Sequence, residues 1–286
     1  MVRRAQFIPW KVAGRAIDRQ DNADRVVQTT GWVFNNEIGD TLTLADFVAT
    51  GDHEVPLYLD TFGLTDDGDS GRTLVEIGAG IGRMTCSFSR SFGTVYACDL
   101  DAGILERCRE AVARYGKVER LRTVQVSDGR TLDLPDGMAD AVFSYITLQH
   151  CDRSDAQALV REAVRITRPG GWIALNFRTS AWSDVALLPL GVAARAAFQL
   201  PGVGGQLSRR RLPTRLAWQV NRLDPHQVIH HVDGQLDDVA IWRNPARTEP
   251  LWGVDAARLE YFHHVNRSHW WLVGRVSTSG SATPPG

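Results

Sequence analysis

The sequence predicts an α/β protein built on a doubly wound, mostly parallel seven-stranded sheet. Three observations carry this prediction. A β-type run, Thr73 to Ile77, passes straight into Gly78-Ala79-Gly80-Ile81-Gly82 and then into helix-compatible residues. Short apolar runs alternate with helical periodicity from residue 73 to residue 177, the rhythm of parallel strands joined by crossover helices. Successive strand ends carry polar residues: Glu76, Asp99, Asp128 and Ser144.

The 286 residues are 43% hydrophobic and 23% charged, the balance of a soluble globular chain able to bury a sizeable core. A net charge of −1 gives no global reason to expect nucleic acid or an anionic membrane as partner. Cys86, Cys98, Cys108 and Cys151 show no paired close spacing and read as reduced, buried residues of a cytoplasmic protein.

Residues 1–50 are expected to form an N-terminal cap. Met1–Arg15 is basic, but Pro9, Lys11 and Arg15 interrupt it, which argues against a signal peptide. Asp18–Thr30 suits a surface helix or loop. Ala45–Thr50 and Glu54–Phe62 read as helices, with Trp32, Phe34, Leu42, Leu44, Phe47 and Val48 as packing residues. An acidic turn, Asp66–Gly71, leads into the glycine strand.

A core domain is expected over 51–179. The glycine turn suits a ligand's close approach, because a Cβ would clash or forbid the backbone angles. It is expected to leave backbone N–H groups open at a helix N-terminus. The dinucleotide fingerprint wants Gly-x-Gly-x-x-Gly with a small residue where Arg83 stands, so a nicotinamide or flavin is disfavoured. Thr94–Cys98 is the second strand, ending in Asp99. Asp101–Tyr115 follows as a helix whose inner face carries Ile104, Leu105, Cys108, Ala111, Val112 and Tyr115. Leu121–Val126 is the third strand, stopped by Ser127-Asp128-Gly129, and Ala139–Tyr145 is the fourth. Ser154 opens a helix, with Ser154 and Gln157 in capping-box positions. Leu159, Val160, Ala163, Val164 and Ile166 form its inner face. Pro169-Gly170-Gly171 ends it, before a fifth strand at Trp172–Phe177.

Residues 180–235 break the rhythm and read as an inserted lid or acceptor region. Within it Val185–Leu200 is interrupted by Pro189, Gly191 and Arg195 and is too short to span a bilayer. Leu212–Leu223 is helix-like. Leu236–Trp242 and Trp270–Val276, within 236–276, are read as the last two strands of the same sheet. Residues 277–286 read as a disordered tail.

In an open parallel sheet, ligands bind at the carboxyl ends of the strands. Asp99 stands at such an end, 17 residues after Gly82, where a carboxylate can accept both hydroxyls of a ribose. Asp128 suits an exocyclic amine of a base. With the motifs Val75–Thr85, Ala97–Asp101, Val126–Gly129, Asp140–His150 and Arg161–Gly171 in this order, the chain resembles the class I S-adenosylmethionine-dependent methyltransferases. The resemblance covers about Gly51–Phe177, and the two final strands more loosely.

The resemblance implies a Rossmann-like fold and S-adenosyl-L-methionine as cofactor. It implies that Gly78, Ala79 and Gly80 line the methionine part, Asp99 holds the ribose and Asp128 the adenine. Tyr145 would sit beside the reacting methyl. Glu76, Gly82, Leu100, Gly129 and Ser144 complete the expected cofactor-binding set. Adenine-methylating enzymes of nucleic acids often carry Asn/Asp-Pro-Pro-aromatic after the fourth strand. Here Ser144-Tyr145-Ile146-Thr147 stands there, which disfavours such a substrate.

A hydroxyl acceptor attacks poorly without a general base, whereas an amine needs little more than desolvation. The candidates for catalysis are His150, Tyr145 and the late histidines His230, His231, His263 and His264. His226 and His230 have the spacing of a helical metal pair, but no acid stands in the usual place between them, so zinc is disfavoured. Asp237 and Asp238 are weak candidates for Mg²⁺, with solvated turn acids as the plainer reading. Six of nine tryptophans (Trp182, Trp218, Trp242, Trp252, Trp270 and Trp271) follow residue 177, suiting core and homo-oligomer packing or an aromatic acceptor pocket. Arg209, Arg210, Arg211, Arg215 and Arg222 form a solvated basic face or capture an anionic group. The expected function is O-methylation, by in-line methyl transfer, of a hydroxyl on a polar small molecule such as a saccharide or natural product. An N-methyltransferase without a base and a non-catalytic cofactor-binding subunit are the alternatives.

Overall fold

The computed structural model describes residues 22–34, 43–64, 71–179, 184–200, 202–207, 211–218, 221–247, 250–251, 253–255 and 257–278. The segment before residue 22, Leu42, most of the acidic turn, Trp182, Arg209, Arg210, Trp252 and the tail from residue 279 lie outside the described residues.

The strands are β1 (Thr73–Ile77), β2 (Thr94–Asp99), β3 (Leu121–Gln125), β4 (Ala139–Ser144), β5 (Thr167–Arg178), β6 (Leu236–Arg243), β7 (Arg258–Tyr261) and β8 (His269–Val276). They form one sheet in the order β3-β2-β1-β4-β5-β8-β6-β7. The predicted doubly wound sheet is therefore present, with one strand beyond the seven expected. That strand, β7, is four residues of mixed polarity at the edge, too short to show a period. Only β8 runs antiparallel to its neighbours, so the carboxyl ends of β1 to β7 share one edge with the amino end of β8.

Two faces of apolar residues bury the sheet. Val75, Ile77, Val142, Ile173 and Leu175 pack towards the helix α5 (Arg153–Ile166). Their sequence neighbours Leu74, Phe143 and Ala174 pack the other way, against α2 (Leu44–Thr61) and α3 (Thr85–Ser91). Alternation along a pleated strand makes this division, because successive side chains leave opposite faces. α1 (Ala23–Phe34) and α4 (Ala102–Tyr115) complete the second layer beside β2 and β3. The predicted inner face of α4 is the buried one: Ile104, Leu105, Cys108, Ala111 and Val112, with Tyr115 half-buried. All four cysteines are free and buried.

Helix ends differ from expectation in several places: α5 already stops at Ile166, so Pro169-Gly170-Gly171 lies inside β5, and the helix expected over Leu212–Leu223 ends at Ala217. Asp152, rather than Ser154, is the N-cap of α5, and it makes no side-chain cap bond. The two short helices expected in residues 45–62 are one, α2, opened by a reciprocal capping box between Thr43 and Asp46. Between β5 and β6 lie α6 (Asp184–Phe198), α7 (Val203–Leu207), α8 (Arg211–Ala217) and α9 (Pro225–Ile229). No described helix is long and apolar enough to cross a membrane.

Gly51 lets α2 lie directly on the glycine turn. A Cβ there would stand 2.0 Å from the Arg83 carbonyl oxygen, inside the backbone of the turn. Replacing glycine by alanine within a solvated helix stabilises it by about 1 kcal/mol. Gly51→Ala is instead expected to destabilise the protein by about 1–3 kcal/mol, through overpacking, as read from the urea unfolding midpoint.

Candidate cofactor and acceptor site

The turn after β1 is held by β2. Gly78 and Ala79 donate their N–H groups to the Cys98 carbonyl, at 2.7 and 3.0 Å, and Gly80 donates to Asp99 Oδ2 at 3.1 Å. Gly78, Gly80 and Gly82 all have positive φ, which a side chain would resist. These three N–H groups are thus spent on the protein itself. The expectation that the turn presents open N–H donors is corrected: here they fasten the turn. Gly78 is also where β4's loop comes closest, since a Cβ would stand 2.1 Å from Thr147 Oγ1. Gly82 packs on α4, with Cys108 atoms 3.3 Å from the position of a Cβ.

Asp99 is half-buried and also accepts the Asp101 N–H on Oδ1 at 3.1 Å. Burial raises its carboxyl above the ordinary range, against the pull of those two N–H groups. A carboxylate offers about four acceptor positions. Two backbone bonds leave capacity on both oxygens for a vicinal diol, so the donor set fits a ribose. Leu100 follows it, half-buried, its carbonyl accepting from Gln125 Nε2 at 3.4 Å. Beneath the turn, buried Glu76 accepts the Thr85 hydroxyl at 2.6 Å, and burial pushes its carboxyl up to about 8.

Two members of the expected cofactor set are placed differently. Ser144 is fully buried, and its hydroxyl donates to the Ile77 carbonyl at 3.0 Å, tying β4 to β1. Asp128 is exposed and folded onto its own loop, accepting from the N–H groups of Arg130 and Thr131 and from the Thr131 hydroxyl at 2.8–2.9 Å. Gly129 turns that loop with a φ of 68°.

Tyr145 stands at the end of β4 in an aromatic cluster. Trp271 stacks parallel to it with 5.5 Å between centroids, Tyr58 from α2 lies 5.5 Å away, and the Arg83 guanidinium sits 5.4 Å over its ring. Arg83 is held by Glu54 at 3.0 Å and Thr50 at 3.3 Å, also from α2. Burial and the hydrogen-bonded Tyr145 raise the Tyr58 phenol well above its ordinary value. The next residue, Ile146, has a φ of 53°, a conformation that a β-branched side chain resists. Buried Asn176 holds it, accepting the Ile146 N–H at 3.3 Å and donating to the Trp270 carbonyl at 3.3 Å.

His150 lies one short turn beyond Thr147, whose carbonyl accepts the His150 N–H at 2.9 Å. Its ring stacks on Trp218 at 4.0 Å and 19°. Gln149 bridges it to β8: Gln149 Nε2 is 3.1 Å from His150 Nε2, and Gln149 Oε1 is 2.9 Å from His269 Nε2. Burial first, then Arg178 and His150, lower His269 to about 4, so it is neutral near pH 7.

The other histidine candidates are not gathered here. His230 and His231 lie past α9 in the turn that leads into the amino end of β6, at the opposite edge of the sheet. His263 and His264 are exposed in the turn between β7 and β8. His264 meets Phe262 at 5.0 Å, and Phe262 in turn meets Tyr58 at 6.0 Å, so two rings separate His264 from Tyr145. Asp237 and Asp238 occupy an irregularity at the amino end of β6, also away from the site. Among the described residues no group of three or more His, Cys, Asp or Glu side chains can hold a metal.

Residues 75–175 match the family model described as a methyltransferase domain. They form a class I S-adenosylmethionine-dependent methyltransferase domain. Phosphoethanolamine N-methyltransferase 1 of Triticum aestivum is 29% identical over 106 residues, 36% of this chain and 21% of that enzyme. Demethylmenaquinone methyltransferase of Thermobifida fusca is 34% identical over 107 residues, 37% of this chain and 43% of the enzyme. The chain thus spans less than half the length of these curated relatives. Magnesium protoporphyrin IX methyltransferase of Synechocystis PCC 6803, solved with bound SAH, shares the fold: TM-score 0.50, 12% identity, 89% of this chain and 98% of that one. The cofactor of the methyltransferase domain has a ribose diol, and Asp99 fits it on the chemistry above.

Sequence reasoning missed Glu54, Tyr58, Gln149 and Asn176 as parts of this site and gave His269 no separate role. The signal available was the spacing of Gly51, Glu54 and Tyr58 along one face of α2.

Glu76 carries a pH signature. Its carboxyl is raised from 4.5 to about 8, so the folded state holds a proton that the unfolded chain has lost between those values. The stability it contributes is complete below about pH 4.5 and disappears as pH rises through 8. Glu76→Gln removes this dependence. The variant should therefore gain on the wild type by up to a few kcal/mol between pH 5 and pH 8, measured by urea unfolding of ligand-free protein. Parallel pH profiles would show that Glu76 is not held protonated.

Proposed function

We propose that the chain transfers a methyl group from S-adenosylmethionine to a hydroxyl of a polar small molecule, with His150 taking the hydroxyl proton. The carrying observation is the placement of His150: one turn from Thr147, which packs on Gly78, with its ring stacked on Trp218.

S-adenosylmethionine supplies a methyl made electrophilic by its sulfonium. In this reading Asp99 and Leu100 bind the ribose, the turn from Gly78 to Gly82 orients the methionine part, and the loop around Asp128 and Gly129 receives the adenine. Tyr145, fixed by Trp271 and Arg83, shapes the wall beside the reacting carbon. Holding the acceptor there supplies most of the rate, since well-oriented groups reach effective molarities of about 10⁵–10⁸ M. Residues 180–235 form the acceptor region over the core of 51–179. A saccharide or natural-product hydroxyl is the favoured acceptor, because Trp218 offers a flat ring beside a base.

A second reading is methylation of an amine, which needs no base. The ring of Tyr145 favours it, since the Arg83 guanidinium already lies over that face.

Asp99→Ala should weaken S-adenosylhomocysteine binding about 100-fold or more, by loss of two charge-assisted hydrogen bonds, in titration calorimetry. Unchanged affinity would remove Asp99 from the cofactor site. With an acceptor identified by thermal stabilisation in the presence of S-adenosylhomocysteine, His150→Ala should lower turnover about 10²–10⁴-fold while cofactor affinity holds. Full turnover in that variant would support the amine reading instead.

A further inference from the structure

Gln149 and His269 are both buried, and neither is explained by packing alone. They belong to a continuous hydrogen-bond chain. His150 Nε2 faces Gln149 Nε2 at 3.1 Å, Gln149 Oε1 faces His269 Nε2 at 2.9 Å, and His269 Nδ1 faces the Ser268 hydroxyl at 3.1 Å. The same hydroxyl reaches Asn266 Oδ1 at 2.9 Å. We propose that Gln149 and His269 form a relay that sets which ring nitrogen of His150 carries its proton, which makes both of them positioning residues.

The chain has two complete hydrogen-bond patterns. In one, the Gln149 amide donates to His150 Nε2, so His150 carries its proton on Nδ1. His269 then donates from Nε2 to Gln149 Oε1, and the Ser268 hydroxyl donates to His269 Nδ1. In the other, the amide is turned over. His150 then donates from Nε2 to Gln149 Oε1, and Gln149 Nε2 donates to His269 Nε2. His269 Nδ1–H donates to the Ser268 hydroxyl, which donates to Asn266 Oδ1. An amide has a donor end and an acceptor end, and a neutral imidazole has one of each, so both patterns pair a donor with an acceptor at every contact of the chain.

Only the second pattern gives His150 a lone pair on Nδ1. It is also the pattern a protonated His150 requires, because both of its ring nitrogens then donate. Proton uptake at Nδ1 therefore drives the amide and the far imidazole into one arrangement. His269 must be neutral for this, so that it can accept from Gln149. Burial, Arg178 on β5 and His150 keep it so. Trp218 holds the His150 ring face-on while the proton moves, and Asn221 fixes the turn by donating from its side-chain amide to the carbonyls of Leu148 and Cys151 at 2.8 and 2.7 Å.

The relay rests on the reading of His150 as the base, but its test does not use turnover. The full chain is labelled with ¹⁵N-histidine, saturated with S-adenosylhomocysteine, and the His150 ring nitrogens are followed by NMR from pH 5 to pH 9. Gln149→Leu and His269→Phe should each lower the His150 titration midpoint by about one unit, a tenfold loss of proton affinity, and change the ratio of its neutral tautomers. Gln149→Glu should move the midpoint the other way, because a carboxylate favours the imidazolium. A role in packing alone would not produce opposite signs at one position, and Gln149→Glu keeps the shape should the leucine variant fail to fold. An unchanged midpoint and tautomer ratio in the folded variants would overturn the relay. Retained turnover in His150→Ala, with the titration responding as expected, removes the base assignment and leaves the relay standing.

Discussion

The Asp99 carboxylate is the point from which the site is built. One oxygen holds the Gly80 N–H and the other holds the Asp101 N–H. The first bond fastens the glycine turn to the end of β2. The second sets Asp101 to cap α4 through the N–H groups of Gly103 and Ile104. A carboxylate kept half-buried for this purpose costs desolvation, and backbone donors offset part of that cost. The same oxygens retain the acceptor capacity that a ribose needs. The two backbone bonds of one side chain thus tie the glycine turn, the end of β2 and the start of α4 together.

Around that centre the two halves of the site have different origins. The cofactor half is local: a strand end, its turn and the next strand end lie within about 25 residues of one another. The half around Tyr145 and His150 is assembled from afar. α2 contributes Glu54 and Tyr58, β8 contributes Trp271 and His269, and the end of α8 leads to Trp218. Arg83 joins the halves, reaching from the glycine turn to Glu54 on α2 and to the face of Tyr145.

This difference decides what could be read from the chain alone. The inner face of α4 follows from helical spacing, and the role of Asp99 as a strand-end acid follows from its distance to the glycines. Neither needs knowledge of what packs against it. The bond between Gln149 and His269 joins residues 120 apart, and no local period records it. Ser144 looked ligand-facing because it ends a strand, but adjacent strand-end residues point to opposite faces, and the pairing of β4 with β1 turned it inward. His230, His231, Asp237 and Asp238 were legible as chemistry but not as position. Which edge of the sheet they occupy depends on the direction of β6, and that direction is set by β8. The turn at Asp128 shows a further limit: its side chain satisfies neighbours two and three residues on, a local preference of aspartate that competes with ligand binding.

Thr147 joins the glycine turn to the turn that carries His150. Its side chain fills the space that a Cβ on Gly78 would need and donates to the Gly78 carbonyl at 3.3 Å, while its own carbonyl takes the His150 N–H. A displacement at Gly78 is therefore carried to His150 through one residue and one short turn, with no soft segment between. The glycine turn and the turn that carries His150 thus share one support, a single threonine wedged against a glycine.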